Sequence, residues 1–194
     1  KYPTTQHIQY DQTSHYGMLK ANEESFGKAM IPSYDFSKAS TIVSIAADFL
    51  SSWGASIENT KQYAKTREVS EQKRDMSRHY QFESILSLTG ANADYRTQIK
   101  PSEEGAVVVQ LHNLIAGKAG RATVSGGVDN PQLEKAANDL WSSRGQALVV
   151  AGSNDPAVQV VVNAINDMLG SYGSTIIPGS PVNYRQGNHE AMNT

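Results

Sequence analysis

The chain contains no cysteine. That absence excludes a disulfide framework, thiolate metal ligands and an iron–sulfur cluster held by these residues. No apolar run approaches the roughly 18 residues that a membrane-crossing helix needs. Neither sign of charge dominates: the formal net charge is −2, and no basic run interleaves with aromatics. Neither nucleic acid nor an anionic membrane is therefore an expected partner, and no direct membrane insertion is expected. His7, His15, His79, His112 and His189 show no metal-binding helical spacing and no accompanying carboxylate cluster. Gly-x-Gly-x-x-Gly, Walker and Gly-x-Ser-x-Gly signatures are missing, as is any internal repeat of fixed period.

What the chain does have is aliphatic blocks. TIVSIAA (41–47), AVVVQLHNLIA (106–116), ALVVAG (147–152) and AVQVVVNAI (157–165) can build a core. The first is short, β-branched and continuously apolar, which predicts a strand covered on both faces. Further strands are expected over 77–82, within 94–100 and over 147–151. A helix runs from a Ser14 cap to a Gly27 stop. Another spans 57–66 with Ile57, Thr60, Lys61 and Ala64 on one stripe. A third starts at Glu103, buries Val107, Val108, Leu111, Leu114 and Ile115, and ends at Gly117 and Gly120. Asn130 caps a helix with Pro131 at its first position, and Pro156 opens another that stops near Gly170. Residues 68–75 read as a solvated charged loop, and the tail from Gly173 has no periodicity. Alternating strands and helices predict an α/β fold, a Rossmann-like three-layer αβα arrangement with a mostly parallel sheet. The expected organisation is a Rossmann-like domain over 1–121, a Gly/Ser linker over 122–129, and a second α/β segment over 130–194. Whether that segment joins the same sheet is left open. The opening Lys-Tyr-Pro reads as an internal piece of a longer protein.

Ligands of such sheets bind outside the carboxyl ends of the strands. Three loops qualify: 47–53, 83–89 and 152–154. Without a phosphate signature they also read as ordinary βα turns. Glu83 ends the second strand, where an acid can accept ribose hydroxyls or simply be solvated. Asp94 fits the capping of local backbone N–H groups. Glu103 and Glu104 diverge by about 100° on a helix, which suits helix-start stabilisation better than acid–base work. His112 reads as a boundary residue with a satisfied hydrogen bond. Trp53 and Trp141 read as core or domain-contact residues.

The order and spacing of several segments resemble the molybdopterin oxidoreductase large subunits. Thr89, Gly90, Ala93 and Asp94 match a Thr-Ala-x-x-Ala-Asp motif, and Pro101, Ser102, Glu103 and Glu104 an altered Pro-Gly-Thr-Asp turn. Asp35 with residues 39–48, then 146–152 and 162–173, match further family segments in order. The wording is most similar to the molybdopterin-oxidoreductase-like iron–sulfur subunits of alternative complex III, a bacterial quinol-oxidising respiratory assembly. The resemblance implies a formate dehydrogenase/DMSO reductase domain-like fold whose residues 130–194 belong to a neighbouring domain. It further implies a periplasm-facing location, other subunits of a membrane-bound respiratory complex as partners, and iron–sulfur clusters elsewhere in the parent protein. An isolated piece would expose apolar surface and associate with itself. If the family's cofactor were kept, molybdopterin guanine dinucleotide would contact Asp48, Trp53, Glu83, Thr89, Asp94, Glu104 and Ser153. Three departures oppose it. Glu83, Ser84 and Ile85 replace Asp-Pro-Arg, removing a phosphate clamp. Glu103 and Glu104 add charge to the turn, and Ala46 replaces a glycine where a backbone must approach closely. The expectation is a non-catalytic scaffold that binds no cofactor itself, within an oxidoreductase subunit. A genuine pterin-dinucleotide domain and an unrelated nucleotide-binding α/β module are the alternatives.

Overall fold

The computed structural model describes residues 3–185, 187–188 and 191–192. Four parallel strands form its sheet: β2 (Thr41–Ile45), β3 (Arg78–Glu83), β4 (Tyr95–Gln98) and β5 (Ala147–Ala151), in the order β4-β3-β2-β5. A two-residue strand β1 (Ser33–Tyr34) pairs antiparallel with β6 (Ile176–Ile177). The helices are α1 (Tyr16–Phe26), α2 (Ser56–Arg67), the short α3 (Leu88–Ala91), α4 (Glu104–Ala119), α5 (Pro131–Ser142) and α6 (Pro156–Met168). The architecture is α/β, a parallel sheet flanked by helices, consistent with a Rossmann-like three-layer arrangement. Among the described residues no helix is long and apolar enough to cross a membrane.

The two faces of the sheet are sorted by strand alternation. Val43, Ile45, Tyr80, Phe82 and Val149 point into one core with α4 and α5, where Leu111, Ile115, Leu133 and Leu140 are fully buried. Each such aliphatic side chain contributes about 1.5–3 kcal/mol by leaving water. Ile42, Leu148 and Val150 point into a second core with Phe36, Phe49, Trp53 and Tyr63. Helix α6 lies between α1 and α4 along β5.

Strand β5 pairs with β2 in register from Thr41↔Ala147 to Ile45↔Ala151. The segment after the expected linker therefore joins the same sheet, and the expected boundary at 122–129 does not divide it. Those residues are an exposed, irregular connection between α4 and α5. The expected stripe of α2 is also corrected. Ile57 is 89% exposed, and the helix instead buries Asn59, Tyr63 and Thr66. Its polar side chains find partners underneath: Thr66 Oγ1 lies 2.9 Å from Ser77 Oγ and Tyr63 Oη 3.2 Å from His79 Nδ1.

The sheet stops at β5 because side chains occupy its outer edge. Asn166 Nδ2 donates to Val149 O (2.8 Å) while its Oδ1 accepts from Val149 N (3.0 Å), imitating a neighbouring strand. Ser171 and Thr175 hydroxyls donate to Ala147 O, and Gln159 Nε2 to Ala151 O. An edge blocked this way cannot recruit another chain. Replacing Asn166 by leucine orphans both backbone groups of Val149, each costing roughly 1–3 kcal/mol when buried. We expect Asn166→Leu to lower the unfolding free energy by at least about 2 kcal/mol in urea titration.

Candidate functional site

From β2 the chain moves to β3 and β4 on one side, then returns through α4 and α5 to β5 on the other. The order reverses between β2 and β5, and open α/β sheets hold ligands outside the strand ends at such a point. A crevice of about 290 Å³ lies there. Its walls include Ala46, Asp48 and Trp53 after β2, Asn154 after β5, and His15 and Arg185 from the chain's outer segments. Gly152 lets the two strand ends approach, since a Cβ there would stand 2.2 Å from Ala46 O. Ala46 itself has φ +52°, a left-handed conformation that glycine adopts without strain and alanine does not.

Much of the polar capacity at this end is used internally. Asp48 Oδ1 accepts from both Thr89 N (3.1 Å) and Thr89 Oγ1 (2.7 Å), and Thr89 Oγ1 accepts from Leu50 N (3.0 Å). This clamps the loop after β2 to α3. Glu83 is 3% exposed. Its Oε1 accepts from Arg96 Nε (2.6 Å) and Ser87 N (3.2 Å), and its Oε2 from Ser87 Oγ (2.6 Å) and Gln81 Nε2 (3.0 Å). A carboxylate offers about four lone-pair positions, so these donors fill it. Gly90 packs over it, because a Cβ there would stand 1.9 Å from Oε1. Burial alone would raise the Glu83 carboxyl, but hydrogen bonds from Ser87, Arg96 and Gln81 hold it below its ordinary value.

The other candidate residues divide. Trp53 is 7% exposed and meets His15 edge-on at 6.1 Å and Tyr34 at 5.2 Å. Ser153 Oγ accepts from Asp155 N (3.2 Å) and its carbonyl from Gln159 Nε2 (2.7 Å), so it shapes the turn into α6. Glu104 opens α4 outside the crevice wall, where burial pushes its carboxyl up. Asp94 stands at the opposite, amino end of the sheet. It accepts two 2.7 Å bonds from the Arg67 guanidinium and one from His79 N (2.8 Å), tying α2 to the start of β3. The structure thus gathers Asp48, Trp53, Glu83, Thr89 and Ser153 at one end and leaves Asp94 at the other. A wider hollow of about 450 Å³ at that amino end is lined by Ser40, Thr66, Ser77 and Gln146, which are hydrogen-bonded to one another in pairs.

Sequence reasoning gave no role to three residues of the crevice. Asn154 Oδ1 accepts from Gly17 N (2.8 Å), seating α1 beside the opening. His15 N donates to Arg185 O (3.0 Å), which draws the tail across it. Burial, and then the Arg185 charge, lower the His15 imidazole, and its Nε2 is buried without a partner. The partnered Asn154 follows a strand as expected of a βα loop, but Arg185 lies in an aperiodic tail that gives no signal. His112, 9% exposed with Nδ1 3.3 Å from Asn113 Oδ1, is the boundary residue expected. His189 lies outside the described residues. Among the described residues no group of three or more His, Asp or Glu side chains converges as a metal site. No protein-family model matches this chain, and no curated protein matches it.

Proposed function

We propose that this chain is a non-catalytic scaffold domain of a molybdopterin-oxidoreductase-like subunit, helping to place an electron-transfer module in a respiratory complex on the periplasmic side of a bacterial membrane. The observation that carries the reading is Glu83. The acid that would receive a nucleotide's ribose is saturated by Gln81, Ser87 and Arg96 and covered by Gly90. The crevice at the same end of the sheet is narrowed by the chain's own residues 12–15 and by Arg185, and its volume of about 290 Å³ falls just short of the roughly 300–1,000 Å³ usual for ligand pockets. The positive φ of Ala46 supports descent from a backbone built for glycine, the residue that the family pattern has there. A scaffold works through its surface, and Ile85 and Leu86 on the loop after β3 and Leu88 at the start of α3 stand 77%, 66% and 56% exposed. Such clustered apolar exposure suits contact with other subunits.

The test is equilibrium binding of GDP and GTP, and assay of the purified protein for molybdenum and pterin fluorescence. The expected result is no saturable nucleotide binding below millimolar concentration and no pterin. Stoichiometric guanine nucleotide beside Glu83, or co-purified pterin, would replace the scaffold reading with that of a dinucleotide-binding domain.

A further inference from the structure

Helix α2 turns toward solvent the stripe that its sequence marks for burial. Ile57, Thr60, Lys61 and Ala64 are all exposed, and Glu68 follows on the same line at the end of the helix. Beside this stripe, between α2 and α3, lies a hollow of about 420 Å³ whose apolar lining is Leu50, Tyr63, Ala64 and Leu88. We propose that this face binds a second copy of the chain, α2 packing antiparallel on α2 about a two-fold axis beside Ala64. The proposal does not depend on the scaffold reading.

Charge selects the second copy. Lys61 and Glu68 are the charged residues of the stripe, and neither has an ion pair among the described residues. Within one chain they cannot meet, because seven residues of helix set them about 10 Å apart along the axis. An antiparallel two-fold at Ala64 brings them together across the interface. Lys61 lies three residues before Ala64 and Glu68 four residues after it, so each lysine comes within about one residue's rise of the other copy's glutamate. Symmetry makes the contact twice. Parallel in-register pairing, or an axis moved to Lys61, sets lysine against lysine instead. Arg67, also at the hollow, is already held by Asp94 through two 2.7 Å bonds. Lys65 stands about 100° round the helix from Ala64, off the contact.

Small and apolar side chains suit the rest of the contact. Ala64 at the axis carries a single methyl, which lets two helices approach closely. Thr60 Oγ1 donates to Leu50 O (3.3 Å), so the Leu50 wall of the hollow lies level with Thr60 and Lys61. The other copy's Glu68 arrives at that level. Val69, directly after it and 56% exposed, comes with it to cover Leu50 and Leu88. The apolar surface that one copy leaves bare is thus covered by the segment the other copy leaves bare, as an isologous interface requires.

The test is sedimentation equilibrium of the intact chain from micromolar to near-millimolar concentration, where a reversible monomer–dimer equilibrium is expected. Ala64→Arg sets a long cation against its own copy at the axis and is expected to leave a monomer. Lys61→Glu and Glu68→Lys should each weaken association at least about tenfold, since each turns two attractions into two like-charge contacts. The two together exchange the charges and should restore association to within about threefold of the native chain. All three positions are exposed, so circular dichroism should show each variant folded, and a variant that merely damaged the fold would not be rescued by a second charge change. The proposal is overturned if the chain is monomeric at every concentration, which would leave the face to a different protein. It is equally overturned if Ala64→Arg dimerises as the native chain does, or if the charge-exchanged double variant associates no better than the single ones.

Discussion

Replacing Glu83 by alanine is expected to lower the unfolding free energy by about 4 kcal/mol, the range of roughly 3–5 seen when one partner of a buried ion pair is removed. The substitution leaves Gln81 Nε2 and Ser87 without their acceptor, and Arg96, whose side chain is 28% exposed, without its counter-ion. It also opens a hole beneath Gly90. Arg96→Ala should cost less, because the carboxylate keeps three of its four hydrogen bonds and the departing guanidinium is the more hydrated partner. Urea unfolding monitored by circular dichroism, with m unchanged, gives both values. A residue kept to hold a ligand behaves in the opposite way, since relieving a strained or unsatisfied site usually leaves stability equal or raises it. A loss under about 1 kcal/mol for Glu83→Ala would therefore count against the structural role and reopen the crevice as a nucleotide site.

How much of this could be read in advance depends on which physical signal each residue leaves. The strands TIVSI and ALVVA are visible because burial on both faces demands unbroken apolar sequence. The caps at Asn130 and Gly120 are visible because orphan N–H groups and left-handed φ each require particular side chains. Helix α2 was placed but its face was inverted. The buried face carries Asn59, Tyr63 and Thr66, with Tyr63 meeting His79 of β3 and Thr66 meeting Ser77 just before it, while the most apolar residue, Ile57, faces out, so an apolar-stripe rule selects the wrong side. The pair β1–β6 is two residues long, too short for periodicity, and depends on segments about 140 positions apart. Site residues followed the same logic. Asp48, Glu83 and Thr89 lie on or after the carboxyl ends of β2 and β3, where the topology alone makes an acid or hydroxyl conspicuous, but that each is consumed by its neighbours depends on Arg96 reaching across from β4, on Ser87 four residues on from Glu83, and on Leu50 N from the loop after β2. For Asp94 no such signal exists: only the register Tyr80↔Tyr95 fixes it at the amino end. One signal was available and unused. HYQFE alternates His79, Gln81 and Glu83 with Tyr80 and Phe82, and a strand with a fully polar alternate face that is also buried must contain a hydrogen-bonded network.

That network makes the chain acid-sensitive above the range where carboxylates titrate. Glu83 takes Gln81 Nε2, which turns Gln81 Oε1 toward His79 Nε2 at 3.3 Å. Nε2 must then carry the imidazole's proton, leaving Nδ1 facing Tyr63 Oη at 3.2 Å. Burial drives the His79 imidazole down to about 4 from 6.5. The Gln81 hydrogen bond and the Asp94 and Glu83 charges pull the other way, and the Arg67 charge adds to the lowering. Between those values the unfolded chain takes up a proton that the folded chain refuses, so stability falls as pH falls through this window. The gap from 6.5 to about 4, at about 1.4 kcal/mol per pH unit, comes to about 3 kcal/mol lost by pH 4. Glu83 and Asp94 lose their stabilising contribution in the same direction but lower down. Their folded values lie below 4.5 and 3.8, so that loss begins only as pH drops past those unfolded values. Unfolding free energies measured from pH 7 to 4.5 should therefore contain a His79 contribution approaching about 1.4 kcal/mol per pH unit below 6.5, a contribution that His79→Gln removes while lowering stability at pH 7. His15, also lowered by burial, tilts both proteins alike, so the difference between the two slopes isolates His79. Parallel pH profiles for the native chain and the variant would mean that His79 protonates as easily folded as unfolded, and that β3 does not bury the polar face described.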